Sequence, residues 1–388
     1  MDKERLWTKD FVIVSLVNFL IYIVFFLLMA TIASYAIDQY HTSTGIGGLV
    51  SGIFIIGILI GRLGTGRIIG GVGGRRILIV GTIAFVITSA SYLATVNLLL
   101  LIIIRFLHGF AFGIAHTAAG TMVAEIIPRG RHGEGIGYFS MSQIMATALG
   151  PYLGIVLSSH VDFRMIFIVA SVVAAISFVI SLLIREPVHI TSRQVQIKGE
   201  KGLKLSNFFE FKAIPISIIV LFSGFAYSVV LTFLSLYSRQ IHLEGPASLF
   251  FIVYAITVIV SRPISGRLLD VRGANFVVYP CLFFFAIGML LLSQANYGIT
   301  LLLSGAIIGL GYGNFLSCGQ AIAVKSTSPH RLGLATATYY MFLDIGYGIG
   351  PYLFGSLIPF AGYRGLYLLM AMVMFATIIL YHFMYRTQ

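Results

Sequence analysis

Gly150-Pro151-Tyr152-Leu153 returns two hundred residues later as Gly350-Pro351-Tyr352-Leu353. Working outward with the same offset of 200 residues, Arg62, Gly66, Arg67 and Gly73 meet Arg262, Gly266, Arg267 and Gly273. Gly109 and Gly113 meet Gly309 and Gly313, Arg131 and Gly133 meet Arg331 and Gly333, and Arg164 meets Arg364. One offset that holds across so much of the chain marks a duplicated unit.

The solvent of that unit follows from composition. Of 388 residues, 58% are hydrophobic and 10% charged, whereas soluble domains carry roughly 25% charged residues. A helix needs ~20 mostly apolar residues to cross the hydrocarbon layer. Twelve such runs are read, near 11–37, 46–69, 76–94, 98–127, 133–158, 164–184, 213–238, 246–269, 275–294, 299–325, 332–359 and 364–384. Six spans per repeat give the second copy the same orientation as the first, so the two are related by an axis along the membrane normal. Halves of that kind enclose a cavity near the bilayer midplane, where alternating-access transporters bind their cargo. The expectation is an all-α membrane protein of 12 transmembrane helices in two parallel six-helix repeats. Residues 1–184 form one bundle, 185–212 a cytoplasmic linker bearing Lys198, Lys201 and Lys204, and 213–388 the other bundle.

Charge orients the spans. With the amino terminus inside, nineteen of the 25 Lys and Arg residues fall in cytoplasmic segments, and Arg164, Arg239 and Arg364 fall outside. Arg62, Arg105 and Arg262 remain within apolar runs. The asymmetry obeys the positive-inside rule and puts both termini on the cytoplasmic side of a cell membrane.

Other chemistry is excluded residue by residue. The net charge of +12 is spread over short loops rather than gathered on one folded face, so no nucleic-acid partner is expected. Cys281 and Cys318 both lie in apolar stretches and suit neither a disulfide framework nor zinc. The first apolar run is too long for a signal-peptide core. Gly70-Gly71-Val72-Gly73-Gly74 is followed by no Lys-Ser or Lys-Thr, as a phosphate cradle requires. Neither a cofactor nor a metal is implied, no catalytic cluster points to an enzyme, and energy must come from an ion gradient.

Gly66-Arg67-Ile68-Ile69-Gly70-Gly71-Val72-Gly73-Gly74-Arg75-Arg76 resembles the loop between the second and third helices of the major facilitator superfamily. It departs from that family at Gly70, where an acid is usual, and at Gly71, where a base is usual. The second copy, Gly266-Arg267-Leu268-Leu269-Asp270-Val271-Arg272-Gly273, keeps the acid at Asp270. Arg105-Phe106-Leu107-His108-Gly109 looks like the family's fourth-helix motif, with His108 in place of a glutamine. Gly150-Pro151-Tyr152-Leu153-Gly154 is similar to the fifth-helix motif of the 12-helix drug:proton antiporters, the multidrug efflux branch. The resemblance spans the chain. It implies a latch between the halves at Gly66, Arg67, Gly73, Arg75, Arg267 and Asp270, and a proton-coupling role for Arg105.

An ionisable group at mid-bilayer costs ~2.5–3.5 kcal/mol on insertion scales, which makes it a functional candidate. The repeat sharpens the choice, because Asp344 pairs with Ile144, Arg105 with Gly305 and His116 with Leu316. None of the three is needed by a fold common to both halves. Asp344 falls near the midplane with Tyr340 and Tyr347 on its face, placed to exchange a proton or to pair with an arginine. Arg105, His108, Phe112 and His116 share one helical stripe, so Arg105, His108 and His116 join Asp344 as proton-coupling candidates, with Arg105 as a partner for Asp344 or for an anionic substrate group. Asn18, Tyr22 and Phe25 form a stripe on the first helix, and Gln143, Tyr227 and Asn314 add polar points. With Phe112, Tyr340 and Tyr347 they complete the expected substrate pocket, whose aromatic walls suit apolar or cationic molecules. Gly150, Pro151, Gly350 and Pro351 are expected to let helices approach and bend during gating. Glu125, Glu134, Arg129 and Arg131 are expected to form gate salt bridges.

The functional expectation is a monomeric, proton-coupled exporter of small amphiphilic molecules, with substrate, protons and membrane lipid as its partners. A sugar or metabolite importer on the same fold is the competing reading, and a membrane receptor or intramembrane enzyme a more distant one.

Overall fold

The computed structural model describes residues 6–128, 132–185, 209–327 and 332–385. Over these the chain is helical. The first repeat supplies α1 (Lys9–Tyr40), α2 (Thr44–Val72), α3 (Gly74–Ser91), α4 (Leu98–Ile126), α5 (His132–His160) and α6 (Phe163–Leu182). The second supplies α7 (Ile214–Gln240), α8 (Glu244–Arg272), α9 (Ala274–Ser293), α10 (Gly298–Ile308), α11 (Asn314–Lys325), α12 (Leu332–Gly355) and α13 (Ile358–Tyr385). A π turn, Gly309–Gly313, joins α10 and α11 into one span, although the matching residues 109–113 of α4 are regular α-helix.

Among the described residues, eleven helices are long and apolar enough to cross a membrane. The remaining long helix, α12, has 24 residues. Asp344, its glycines and its tyrosines lower its mean hydropathy, as befits a helix that faces a polar cavity rather than lipid.

Local chemistry sets the ends. The Thr8, Ser43 and Asn97 side chains accept hydrogen bonds from the backbone N–H groups of Phe11, Ile46 and Leu100, capping α1, α2 and α4. Gly73 and Gly273 adopt φ of 94° and 83° at the matching α2–α3 and α8–α9 turns, a conformation that only glycine enters without strain. Both copies of the loop motif thus keep this glycine for the turn itself.

The packing repeats with the sequence. In the first half α1 lies on α5, α2 on α4, and α3 on α4 and α6; in the second α7 lies on α12, α8 on α10, and α9 on α10 and α13. Between the halves α2 faces α12, α5 faces α8, and α1 faces α7. Each inter-half contact is either the partner of another under the 200-residue offset or its own partner, the pattern a pseudo-twofold axis along the membrane normal produces. The central helices are buried all round, with every residue buried from Ile21 to Ala36 in α1 and from Ala226 to Ser235 in α7. The outer helices carry exposed apolar side chains such as Val80, Ile87, Val179 and Ile379, the surface that lipid covers.

Candidate functional site

The two halves separate around a cavity of about 410 Å³. Its wall residues run from the middle of each helix toward the end that meets the basic loops: positions 18–26 of α1, 55–62 of α2, 112–120 of α4, 136–147 of α5, 254–262 of α8 and 336–347 of α12. The opposite end is shut. A Cβ at Gly52 would run into the Gly348 carbonyl, and one at Gly48 into the Pro351 carbonyl, so α2 and α12 meet backbone to backbone. The Thr44 hydroxyl donates to the Gly355 carbonyl at 2.7 Å, and Arg239 pairs with Asp38 across the halves at 2.9 Å. Further along α2, Cβ atoms at Gly64, Gly66 and Gly71 would meet nothing within 4 Å. The α2–α12 seam is closed at one end and splayed at the other, so the cavity opens toward the face that carries the basic loops.

The floor of the cavity holds a cross-seam ion pair. Arg62 Nη1 of α2 donates to Asp344 Oδ2 of α12 at 2.7 Å. The carboxylate is nearly buried, while the guanidinium keeps part of its surface open to the cavity. Around the pair stand aromatic and polar side chains. Tyr22 and His116 share a hydrogen bond of 3.0 Å between the hydroxyl and Nε2, and His116 lies parallel to Phe112 with ring centroids 5.7 Å apart. Asn18 Nδ2 donates to Ser142 Oγ at 2.8 Å, and the Tyr340 hydroxyl donates to Gln320 Oε1 at 3.0 Å. Tyr227 stacks on Tyr312 at 4.2 Å, and the Tyr312 and Tyr347 hydroxyls bond to each other. The π turn that carries Tyr312 rests on Phe285.

Eight of the nine residues expected in a substrate pocket line this cavity: Asn18, Tyr22, Phe25, Phe112, Gln143, Tyr227, Tyr340 and Tyr347. Asn314 does not. Its amide donates to Ser261 Oγ at 2.7 Å and its carbonyl accepts from Ser265 Oγ at 2.9 Å, tying α11 to α8 behind the wall. Of the proton-coupling candidates, Asp344 and His116 are in the cavity, and Arg105 and His108 are not.

The expected pairing of Arg105 with Asp344 is replaced by Arg62–Asp344. Arg105 and His116 share a stripe on α4, but eleven residues of helix put them about 16 Å apart along its axis. Arg105 is therefore fixed at the closed end. Its guanidinium lies 4.3 Å over the Phe54 ring and donates to the Val50 carbonyl at 3.3 Å and the Tyr92 hydroxyl at 3.4 Å. Cation–π contact and oriented dipoles answer its charge in place of a carboxylate. His108 is held between Ser89 Oγ at 3.0 Å and the Tyr92 hydroxyl at 3.1 Å, inside the first half.

Described members of the expected latch bond within their own halves. Asp270 pairs with Lys325 of its own half at 2.6 Å, both exposed. Arg75 donates to the Ile184 carbonyl at 2.8 Å, also within one half. Arg267 and Glu125 are exposed at the basic face. Arg129 and Arg131 lie outside the described residues, as do the side chains of Arg67 and Glu134. Gly150 lets α5 approach Phe26 and the Ile23 carbonyl of α1, and Gly350 lets α12 approach Ser228 and Phe225 of α7; Pro151 and Pro351 lie inside the same two helices.

Sequence reasoning passed over Arg62 and Arg262, both on the cavity wall. Both stand in the sequence as charges inside apolar runs, and the asymmetry that singles out Asp344, Arg105 and His116 does not reach them because they match each other across the repeat. Tyr312 was also missed, although carrying Phe112 across the offset leads straight to it.

The sequence profile of the Major Facilitator Superfamily matches residues 14–295 and again 244–388. The chain belongs to the Major Facilitator Superfamily. It is thus a multi-pass membrane protein of a transporter family, built on that family's all-α fold. An uncharacterised MFS-type transporter of Methanocaldococcus jannaschii is 24% identical over 329 residues, covering 82% of this chain and 84% of the relative. The multidrug resistance protein MdtG of Escherichia fergusonii is 24% identical over 298 residues, covering 73% and 70%. Among solved structures, a mutant of the nucleoside transporter NupG superposes with a TM-score of 0.80 at 14% identity, covering 97% of this chain and all of that one. The xylose transporter XylE of E. coli, in a partially occluded inward-open conformation, gives 0.72 at 16% identity, covering 96% and 97%. These superpositions carry the fold; their cargoes differ, as the family's shared frame allows.

Proposed function

We propose that this protein is a proton-coupled secondary transporter that exports small amphiphilic molecules by alternating access, with Asp344 as the proton-exchanging group. The observation that carries the reading is the Arg62–Asp344 pair on the cavity floor, because it bridges the two halves and its attraction depends on one proton. With Asp344 ionised, the pair fastens α2 to α12. A proton taken up by Asp344 removes that attraction and leaves Arg62 uncompensated in a partly desolvated site, which favours rearrangement of the seam.

Opening to the opposite face requires the contacts of Gly48, Gly52, Thr44 and Arg239 to part. It also brings the basic ends of the halves together, where Asp270 can exchange Lys325 for a partner on the other half. Residues 1–184 and 213–388 are the bodies that rock, and 185–212 the connection between them. The basic loops are assigned to the cytoplasm, which makes this conformation inward-facing and places both termini inside. Export is supported by the fifth-helix Gly150-Pro151 motif and by relatives of the MdtG kind; the aromatic wall with few polar anchors suits an amphiphile.

The test is transport in inside-out vesicles energised by an imposed proton gradient and challenged with a panel of amphiphiles. The wild type should accumulate at least one compound uphill. Asp344→Asn, eluting as the same monodisperse species, should reduce that accumulation to the level of empty vesicles. Full uphill transport by this variant would refute the coupling role.

A further inference from the structure

The ion pair is present once, although the frame that holds it is present twice. Arg62 of α2 and Arg262 of α8 are related by the 200-residue offset, as are Asp344 of α12 and Ile144 of α5. All four line the cavity. The seam of α5 with α8 is the symmetry mate of the seam of α12 with α2. At the first seam the guanidinium meets a carboxylate at 2.7 Å. At the second the repeat sets an isoleucine where the matching carboxylate would stand. Among the described residues no acidic group lies within ion-pair reach of Arg262, and Asp344, already engaged by Arg62, is the one acid on the wall.

Among the described lining residues two guanidinium groups meet one carboxylate, which leaves a positive charge uncompensated against largely apolar walls. A half-buried guanidinium on an apolar-walled cavity attracts a counter-ion. We infer that the transported molecule is an organic monoanion, a carboxylate on an aromatic or aliphatic frame, whose acid group pairs with Arg262 at the position the repeat leaves to Ile144. The planar guanidinium suits a carboxylate through two parallel N–H···O bonds. Phe25, Phe112, Tyr227 and Tyr254 receive the apolar part, and about 410 Å³ of space is within the size range of small-molecule sites. The same charge works against cationic molecules, which the aromatic wall alone would have admitted.

This inference rests on reading the cavity as the transport site, so its experiment measures binding and needs no flux. The protein in lipid nanodiscs is titrated calorimetrically at neutral pH with a matched naphthyl series: 1-naphthoate, 1-naphthalenemethanol and 1-naphthylmethylammonium. The wild type should bind naphthoate most tightly and the ammonium most weakly. Arg262→Gln should weaken naphthoate about 10–100-fold while leaving the neutral alcohol within about threefold, and Arg262→Lys should restore part of the loss. Ile144→Asp, which supplies the missing carboxylate, should abolish naphthoate binding and admit the ammonium. Undetectable naphthoate binding by the wild type, an ammonium bound as tightly as naphthoate, or unchanged naphthoate affinity in a folded Arg262→Gln protein would each overturn the inference. Intact charge selectivity in a protein that drives no uphill movement would instead refute the transport reading alone.

Discussion

The seam of α2 with α12 and the seam of α5 with α8 occupy equivalent places in the two repeats, and they differ in the residues that matter most. On the first, Gly48, Gly52 and Gly348 bring the two backbones into contact, and Arg62 pairs with Asp344. On the second, the corresponding residues are Ser248, Ile252 and Ala148, and Ile144 stands as the counterpart of Asp344, so the repeat gives Arg262 no matching carboxylate. The duplicated frame therefore holds one close-packed, charge-locked seam and one looser seam with an arginine to spare. A bundle symmetric about the membrane normal would carry the same charge chemistry on both seams. On the proposed reading the difference between the seams divides two tasks, proton exchange at one and recognition of the cargo at the other.

The most damaging way to break this comparison is to remove the arginine of the locked seam. Arg62→Leu leaves Asp344 nearly buried without its counter-charge, and the protein should lose about 2–4 kcal/mol of stability together with transport. A thermal unfolding curve in nanodiscs checks the first. Arg62→Lys should recover most of the stability. A drop as large for Arg262→Leu would mean that the second arginine is also paired, which would erase the distinction.

Next in size is the backbone contact. Gly52→Leu forces a side chain against the Gly348 carbonyl and should cost about 1–3 kcal/mol by overpacking. It should also prop the closed end apart. With Cys281 and Cys318 replaced by serine, cysteines introduced at Thr44 and Gly355 should cross-link readily in the parent and poorly in the Gly52→Leu background. Equal cross-linking in both would show that the glycines do not set the closure. The same substitution at Gly66, where a Cβ meets nothing within 4 Å, should leave cross-linking unchanged.

The smallest effect belongs to the exposed Asp270–Lys325 pair. Asp270→Asn should change stability by no more than about 0.5 kcal/mol, yet slow turnover if Asp270 changes partners when the basic ends close. A turnover rate equal to that of the parent protein would leave this pair as surface decoration.

Much of the fold was legible because its signals are local and repeated. Apolar run lengths gave the twelve spans, and one offset gave the pairing of helices. The π turn at Gly309–Gly313 was not legible, since residues 109–113 keep the glycines at both ends and still run as regular helix; the third glycine, Gly311, stands where the first half has Ala111 and lets the turn approach the Phe285 backbone. The cavity wall was largely readable as polar or aromatic stripes on the central helices. Its charge pairing was not. Helical periodicity reports direction around an axis and says little about height along it, so Arg105 shared a face with His116 while lying at the closed end of the molecule. The asymmetry that picks out Asp344 passes over Arg62, because Arg62 has a duplicate in Arg262. Only one of the duplicates has a carboxylate to hold, and that is visible once α2 and α12 are in contact.

The central claim, that protonation of Asp344 governs how the halves are fastened, is tested most directly by double electron–electron resonance. Spin labels at Gly71→Cys and Val271→Cys, symmetry-related sites at the basic ends of α2 and α8, report the separation of the halves. In the protein with its other cysteines replaced, the distance distribution should shift between neutral and acidic pH. In the Asp344→Asn background it should be the same at both. An unchanged pH response in that background would contradict the account.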